Sequence, residues 1–340
     1  MKTSFVVLVF LCISGVCGFA QSVDAQATPS RALLVLSKQE HVLAIVDPST
    51  LKIVARVPVG NDPHEVIASA DGSTAYVSNY GGGTFRTLAV VDLLSQKALP
   101  AIDLGALRGP HGLTFVGGKT WFTAEGSKAI GSYDPSTKTV DWIMGTGQNR
   151  THMIYVSDDL SRIVTTNVSS GTVSVIEKTE VVSGPGAQAH TDWNETVIPV
   201  GRGSEGFDVS PDQKEIWVAN AGDGTISVID FAQKKVVDTI PADVQSANRL
   251  KFTRDGKCAF VSTLRGPDLV IFSTADRKVV KRVPIGHGAA GILTQPDGSR
   301  VYVACTPDNY VAVIDVASMT MAGKIENIGQ PDGLAWATRP

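Results

Sequence analysis

Pro63-His64-Glu65-Val66, Pro110-His111-Gly112-Leu113, Thr151-His152-Met153-Ile154, Ser204-Glu205-Gly206-Phe207, Ala247-Asn248-Arg249-Leu250, Ala289-Ala290-Gly291-Ile292 and Pro331-Asp332-Gly333-Leu334 are seven versions of one quartet. Their second residues stand 47, 41, 53, 43, 42 and 42 positions apart. Self-similarity at a period of about 40–45 residues is the mark of a repeat architecture. Working outward from each quartet, the same plan recurs. A short strand follows, then a turn such as Ala70-Asp71-Gly72 or Pro296-Asp297-Gly298, in which Asp-Gly supplies the left-handed residue of a tight hairpin. A second strand (Ala75–Ser78, Glu215–Ala219, Val301–Ala304), a polar loop and a third strand (Thr172–Ile176, Thr225–Asp230) come next. The third strand closes on an acid at Asp47, Asp92, Asp134, Asp230 and Asp315, whose carboxylate can cap the next turn. A fourth strand such as Val236–Ile240 ends the unit.

Four short antiparallel strands, repeated seven times with β-branched residues and no helical period, predict an all-β seven-bladed β-propeller. The final copy holds only a first strand, Gly333 to Thr338, and the chain start offers the other three at Ala32–Leu36, Val42–Val46 and Lys52–Val57. One blade is therefore expected to be shared between the termini, closing the ring and leaving no open edge.

Residues 1–27 differ in kind. Lys2, an apolar run from Phe5 to Val16 and a small-residue site at Ala25-Gln26-Ala27 read as a secretory signal peptide. Residues 28–340 are then a single propeller domain, with no apolar stretch long enough for a membrane span, expected outside the cytoplasm: secreted, periplasmic or in the cell envelope. Cys12 and Cys17 leave with the signal; Cys258 and Cys305 are expected as separate thiols, because the repeat puts them at different heights. Net charge −3 and 6% aromatics argue against a nucleic-acid partner, which needs a basic field or a stacking surface.

The repeat also carries a resemblance. Val59-Gly60 with Pro63-His64, Asp71-Gly72, Tyr76-Val77-Ser78-Asn79-Tyr80 and the Val228-Ile229-Asp230 type of strand resemble the YVTN β-propeller repeat family. Val200–Ile240 is the nearest match, with Trp217-Val218-Ala219-Asn220 in the naming position. Blade 2 departs at Trp121-Phe122-Thr123-Ala124, and blade 3 carries an insertion near Val181–Glu195. The resemblance implies the propeller and an extracytoplasmic setting; it extends to surface-layer and YncE-like proteins and, more distantly, to lactonase and streptogramin-lyase propellers. Function does not follow from such a fold.

Propeller geometry nevertheless sorts the polar residues. The first strand of each blade is innermost, and the loop leading into it shares a face with the loop between strands two and three. The quartets' second residues form a ring around the channel mouth: His64, His111, His152, Glu205, Asn248, Ala290 and Asp332. His64, His111, His152 and Glu205 are candidate ligands for a divalent transition metal (Zn, Cu or Fe); the alternative is a hydrogen-bonded or water-lined ring. A second ring at the ends of the second strands includes Asn79, Asn167 and Asn220, with Glu125 one residue beyond it as a candidate catalytic base or orienting group near His111 and His152. Arg108, Arg150, Arg202, Arg249 and Arg265 are expected on the same face, where they, Asn79, Asn167 and Asn220 of the second ring, and the first ring's Asn248 and Asp332 could hold a small ligand, anionic ones included, or a protein partner. The sequence thus offers two functions: a binding or scaffold propeller working through this His/Arg-rich face, or a metal-dependent lyase, lactonase or oxidoreductase. Nucleophile-elbow, phosphate-loop and haem-attachment motifs are absent from the sequence.

Overall fold

The structure is a computed structural model that describes residues 26–182, 184 and 188–340; the signal-like segment up to residue 25 and part of the blade 3 insertion lie outside the described residues. Among the described residues, twenty-eight strands form seven four-stranded antiparallel sheets. Six blades use four consecutive strands each. The seventh is assembled in the order Pro331–Thr338, Arg31–Ser37, Val42–Asp47, Lys52–Pro58, so the C-terminal strand is innermost and the N-terminal three complete it. Register runs Val35 opposite Leu334 and Leu33 opposite Trp336, and the Arg339 N–H donates to the Ser30 carbonyl at 2.8 Å. The shared blade is as the sequence predicts. The insertion in blade 3 lengthens its outer hairpin, Thr172–Val181 against His190–Pro199.

Burial explains why some strands read as unbroken apolar runs and others alternate. The third strands, such as Val42–Asp47 and Thr225–Asp230, are buried at four consecutive positions because both sheet faces are covered by neighbouring blades. Outer strands such as Thr139–Gly145 alternate exposed and half-buried residues, since only one face meets a neighbour. The core is accordingly divided among the blade interfaces. One cluster joins blades 7 and 1 through Leu34, Leu36, Val66 and Val91; another joins blades 4 and 5 through Trp217, Leu250, Val261 and Phe272. Each fully buried Leu, Ile, Val or Phe is worth roughly 1.5–3 kcal/mol. The strand-ending acids cap as expected: the Ser49 N–H donates to Asp47 Oδ1 at 2.9 Å, and the Ser318 N–H to Asp315 Oδ1 at 2.8 Å.

One expectation is corrected. The repeat plan puts each quartet ahead of the first strand; the quartets are instead the opening residues of the strand itself, as in Pro63–Ala68, Pro110–Val116 and Thr151–Val156. In every blade the pairing slips by one residue inside the quartet, Pro63 facing Asn79 while Val66 faces Val77, and likewise around the ring. A bulge leaves an extra residue unpaired and re-aims its side chain, which turns the second quartet residue toward the channel. The residue before each quartet is left-handed without exception: Asp62, Gly109, Arg150, Gly203, Ser246, Gly288 and Gln330 have φ between 49° and 69°. That kink followed by a bulge is the device that presents the ring.

Candidate functional site at the channel mouth

The third quartet position decides how wide the channel is. A methyl on Gly112 would stand 2.5 Å from the His152 carbonyl oxygen, and one on Gly291 would stand 2.1 Å from that of Asp332. The next blade's first strand comes too close there for any side chain. Glu65, Met153 and Arg249 break this pattern, and their side chains reach into the channel. Arg249 crosses it: its Nη2 donates to Glu65 Oε1 at 2.9 Å, linking blade 5 to blade 1, and both side chains are largely buried. Arg249 lines both the hollow at the mouth, about 420 Å³, and a deeper one of about 240 Å³, so the Arg249–Glu65 pair divides the channel between them.

Above this partition the ring histidines are brought together. The rings of His64 and His111 are 4.9 Å apart at their centroids, and those of His111 and His152 are 3.9 Å apart. His152 is held on both nitrogens: Nδ1 contacts Glu125 Oε1, and Nε2 lies 2.9 Å from Glu205 Oε2. Glu125 is buried, accepts a hydrogen bond from the Tyr80 hydroxyl at 2.6 Å and faces Arg150 Nε at 3.4 Å. Arg150 Nη1 also lies 3.8 Å from Glu205. His64 sits to one side, its Nε2 3.0 Å from Asp62 and 2.9 Å from Lys38 Nζ, with Lys38 3.3 Å from the buried Asp332. His111 is buried, and its Nδ1 has no hydrogen-bond partner.

The charges follow from these neighbours. Burial disfavours an imidazolium at His152, but Glu205 and Glu125 outweigh it and its pKa is raised. Burial likewise opposes ionisation of Glu205, yet His152, Arg249 and Arg150 pull its pKa down to about 2. Glu125 is lowered in the same way, burial being overcome by His152, Tyr80 and Arg150. His111 is driven well below the usual histidine range by burial and then by the charges of His152, His64 and Arg249. Burial and the Glu125 carboxylate raise Tyr80 to about 12. Asp332 is raised, burial prevailing over Lys38 and His64. The mouth therefore sets a His111 whose imidazolium is disfavoured beside a His152 whose imidazolium is favoured by two carboxylates.

Other candidates go elsewhere. Asn248 lines the mouth, its Nδ2 donating to the Ala290 carbonyl at 2.9 Å. Asn79, Asn167 and Asn220 end their second strands, but their amides serve the local framework: Asn79 donates to the Val59 and Asn61 carbonyls in the link from blade 7 to blade 1, Asn167 to Thr172 and Ser174, and Asn220 to Thr225 and Ser227 within their own blades. Of the arginines, Arg249 approaches His152 and Arg150 faces the two carboxylates that hold that histidine, whereas Arg108 is exposed and Arg202 points outward on Asp223. Cys258 and Cys305 are unpaired, at opposite ends of their strands. Lys38, Asp62, Glu65 and Tyr80 belong to the site without having been singled out in the sequence; for Glu65 the signal was its place in a position otherwise held mostly by glycine. A larger hollow of about 530 Å³ lies on the opposite face between blades 4 and 5. Of its acids, Asp212 and Asp255 accept from the N–H groups of Lys214 and Lys257 in their own turns, and Glu215 accepts from Trp217 and Arg277.

Fold and site together define a closed seven-bladed propeller with a polar, part-buried funnel at one end of its channel. The description "YncE-like beta-propeller" matches residues 123–300, more than half of the chain, and the chain belongs to that family. It is 25% identical over 150 residues to Antigen Lp49 of Leptospira interrogans, a match covering 38% of this chain and 33% of that relative. The chain thus spans about a third of the curated relative it matches. Among solved structures it resembles a functionally unknown protein from Desulfotomaculum acetoxidans (14% identity, TM-score 0.72, covering 91% of this chain and 99% of that one). It also resembles a provisionally named 6-phosphogluconolactonase from Bacteroides uniformis (16% identity, TM-score 0.71, covering 90% and 99%). At these identities the likeness is one of fold. Among the described residues, no helix is long and apolar enough to cross a membrane.

Proposed function

We propose that this chain is an exported binding propeller that takes a small polar ligand with an anionic group into the funnel lined by Lys38, His64, Arg150 and Asn248. The observation that carries it is the part-exposed pair of cations at the rim. Lys38 and Arg150 keep 24% and 43% of their side chains open, while Arg249 below them is largely buried in its pair with Glu65. The Arg150 guanidinium meets its carboxylates only at 3.4 and 3.8 Å, which leaves donors for a bidentate ligand carboxylate. Export is supported by the signal-like start of the sequence and by the likeness to a leptospiral antigen. The test is thermal unfolding and calorimetric titration of the mature chain with acetate, succinate and gluconate at fixed ionic strength. Saturable stabilisation by at least one of them, lost in Arg150→Met, is expected. Equal behaviour of wild type and variant would remove the funnel as the binding site.

A second reading, a metal-dependent enzyme of the lyase, lactonase or oxidoreductase kind, is favoured by the convergence of His111, His152 and Glu125. In it Glu125 orients His152 or serves as the base.

A further inference from the structure

The funnel holds one group that ion pairing leaves unexplained. The buried Nδ1 of His111 has no partner, although an unsatisfied buried polar atom costs roughly 1–3 kcal/mol and is rare in folded chains. One ligand atom each from His111, Glu125 and His152 lie within 4.8 Å of one another, and all three residues are buried. We propose that His111, Glu125 and His152 form a three-ligand site for a divalent transition metal, with its open position facing the funnel. The donor set differs from the His64, His111, His152 and Glu205 ring suggested by the repeat. It rests on the reading of the funnel as the ligand site and names what sits at its floor.

Four observations agree on this set. Two imidazoles and one carboxylate match the donors of open zinc and non-haem iron centres. Donor atoms around a tetrahedral ion at about 2.0–2.2 Å stand roughly 3.4 Å apart, so the cluster needs side-chain movements of only about 1 Å. The outer atoms of the same residues are already taken in the way that orients metal ligands. His152 keeps Nδ1 toward Glu125 and gives Nε2 to Glu205; Glu125 keeps Oε1 toward His152 and gives Oε2 to Tyr80 and Arg150. The two guanidinium groups lie on those outer atoms, Arg150 on Glu125 Oε2 and Arg249 3.4 Å from His152 Nε2, and so lie away from the proposed ion. His64 is spoken for by Asp62, Asp332 and Lys38, and it packs against the His111 ring without joining the donors.

The test uses the untagged mature chain, stripped with a chelator and reloaded with Zn(II), and in parallel with Co(II) as a spectroscopic probe. One equivalent of Zn(II) by elemental analysis and a Co(II) visible spectrum of four- or five-coordinate type are expected. His111→Gln and Glu125→Gln should abolish both while retaining the circular dichroism of the propeller. Glu205→Gln should keep the stoichiometry with 10–100-fold weaker binding, as for an orienting partner, and His64→Gln should bind one equivalent. No stoichiometric metal in the wild type would overturn the proposal, and so would loss in His64→Gln equal to that in Glu125→Gln. Succinate stabilisation of the metal-free chain, lost in Arg150→Met, is read separately. The metal site can therefore fail while the funnel stands, or the reverse.

Discussion

At the scale of single residues, Arg249 decides the most. Its guanidinium ties blade 5 to blade 1 across the channel, through Glu65, while also standing 3.8 Å from Glu205 and 3.4 Å from His152. Removing one member of a largely buried pair strands the other, at a typical cost of about 3–5 kcal/mol. Arg249→Met should therefore lower the unfolding free energy by about that amount in a denaturant titration. Adding Glu65→Gln should recover part of the loss, because the stranded carboxylate is then neutral. A double variant no more stable than Arg249→Met would show that the cost lies elsewhere. The repeat expects Arg249 on this face as one of a set of five, and the five go different ways in the structure. Arg108 and Arg202 stand three residues before His111 and Glu205, ahead of their first strands, and are exposed, whereas Arg249 directly follows Asn248 inside its strand and is turned into the channel.

Individual strands show why the quartet has the form it has. The left-handed residue sets the turn into the channel, the bulge aims the second residue, and glycine in third place lets the next blade close in. A His-Gly pair is thus read by two different causes: the glycine by steric need, the histidine by what surrounds the mouth. Gly291→Ala forces a methyl against the Asp332 carbonyl oxygen, and overpacking of this kind costs about 1–3 kcal/mol. Its thermal midpoint should fall measurably. Gly145→Ala, at an open site on an outer strand, should leave the midpoint unchanged or slightly higher. Equal effects of the two would argue against close blade approach at the bulge.

For the whole molecule, stability rests on closure. The hydrophobic core is split among blade interfaces, so each blade depends on both neighbours, and the seventh depends on the two chain ends meeting. A chain ending at Ile328 lacks Leu334, Ala335 and Ala337, which fill the clusters on either side of blade 7, and it uncovers the Arg31–Ser37 edge. It should lose its single cooperative unfolding transition and elute as aggregate on gel filtration. A truncated chain that stays monomeric with one sharp transition would show that the shared blade is dispensable.

The sequence alone determined the blade count, the strand plan, the shared blade and the positions of both inner rings, because these depend on local periodicity and turn chemistry that repeat every 41 to 53 residues. The tertiary structure alone decided which ring members meet. Tyr80 reaches Glu125 on the next blade, and Glu65 reaches Arg249 from 184 residues away across the channel. Those distances depend on the diameter of the closed ring and on side-chain direction after a bulge. Neither quantity is written in any single repeat.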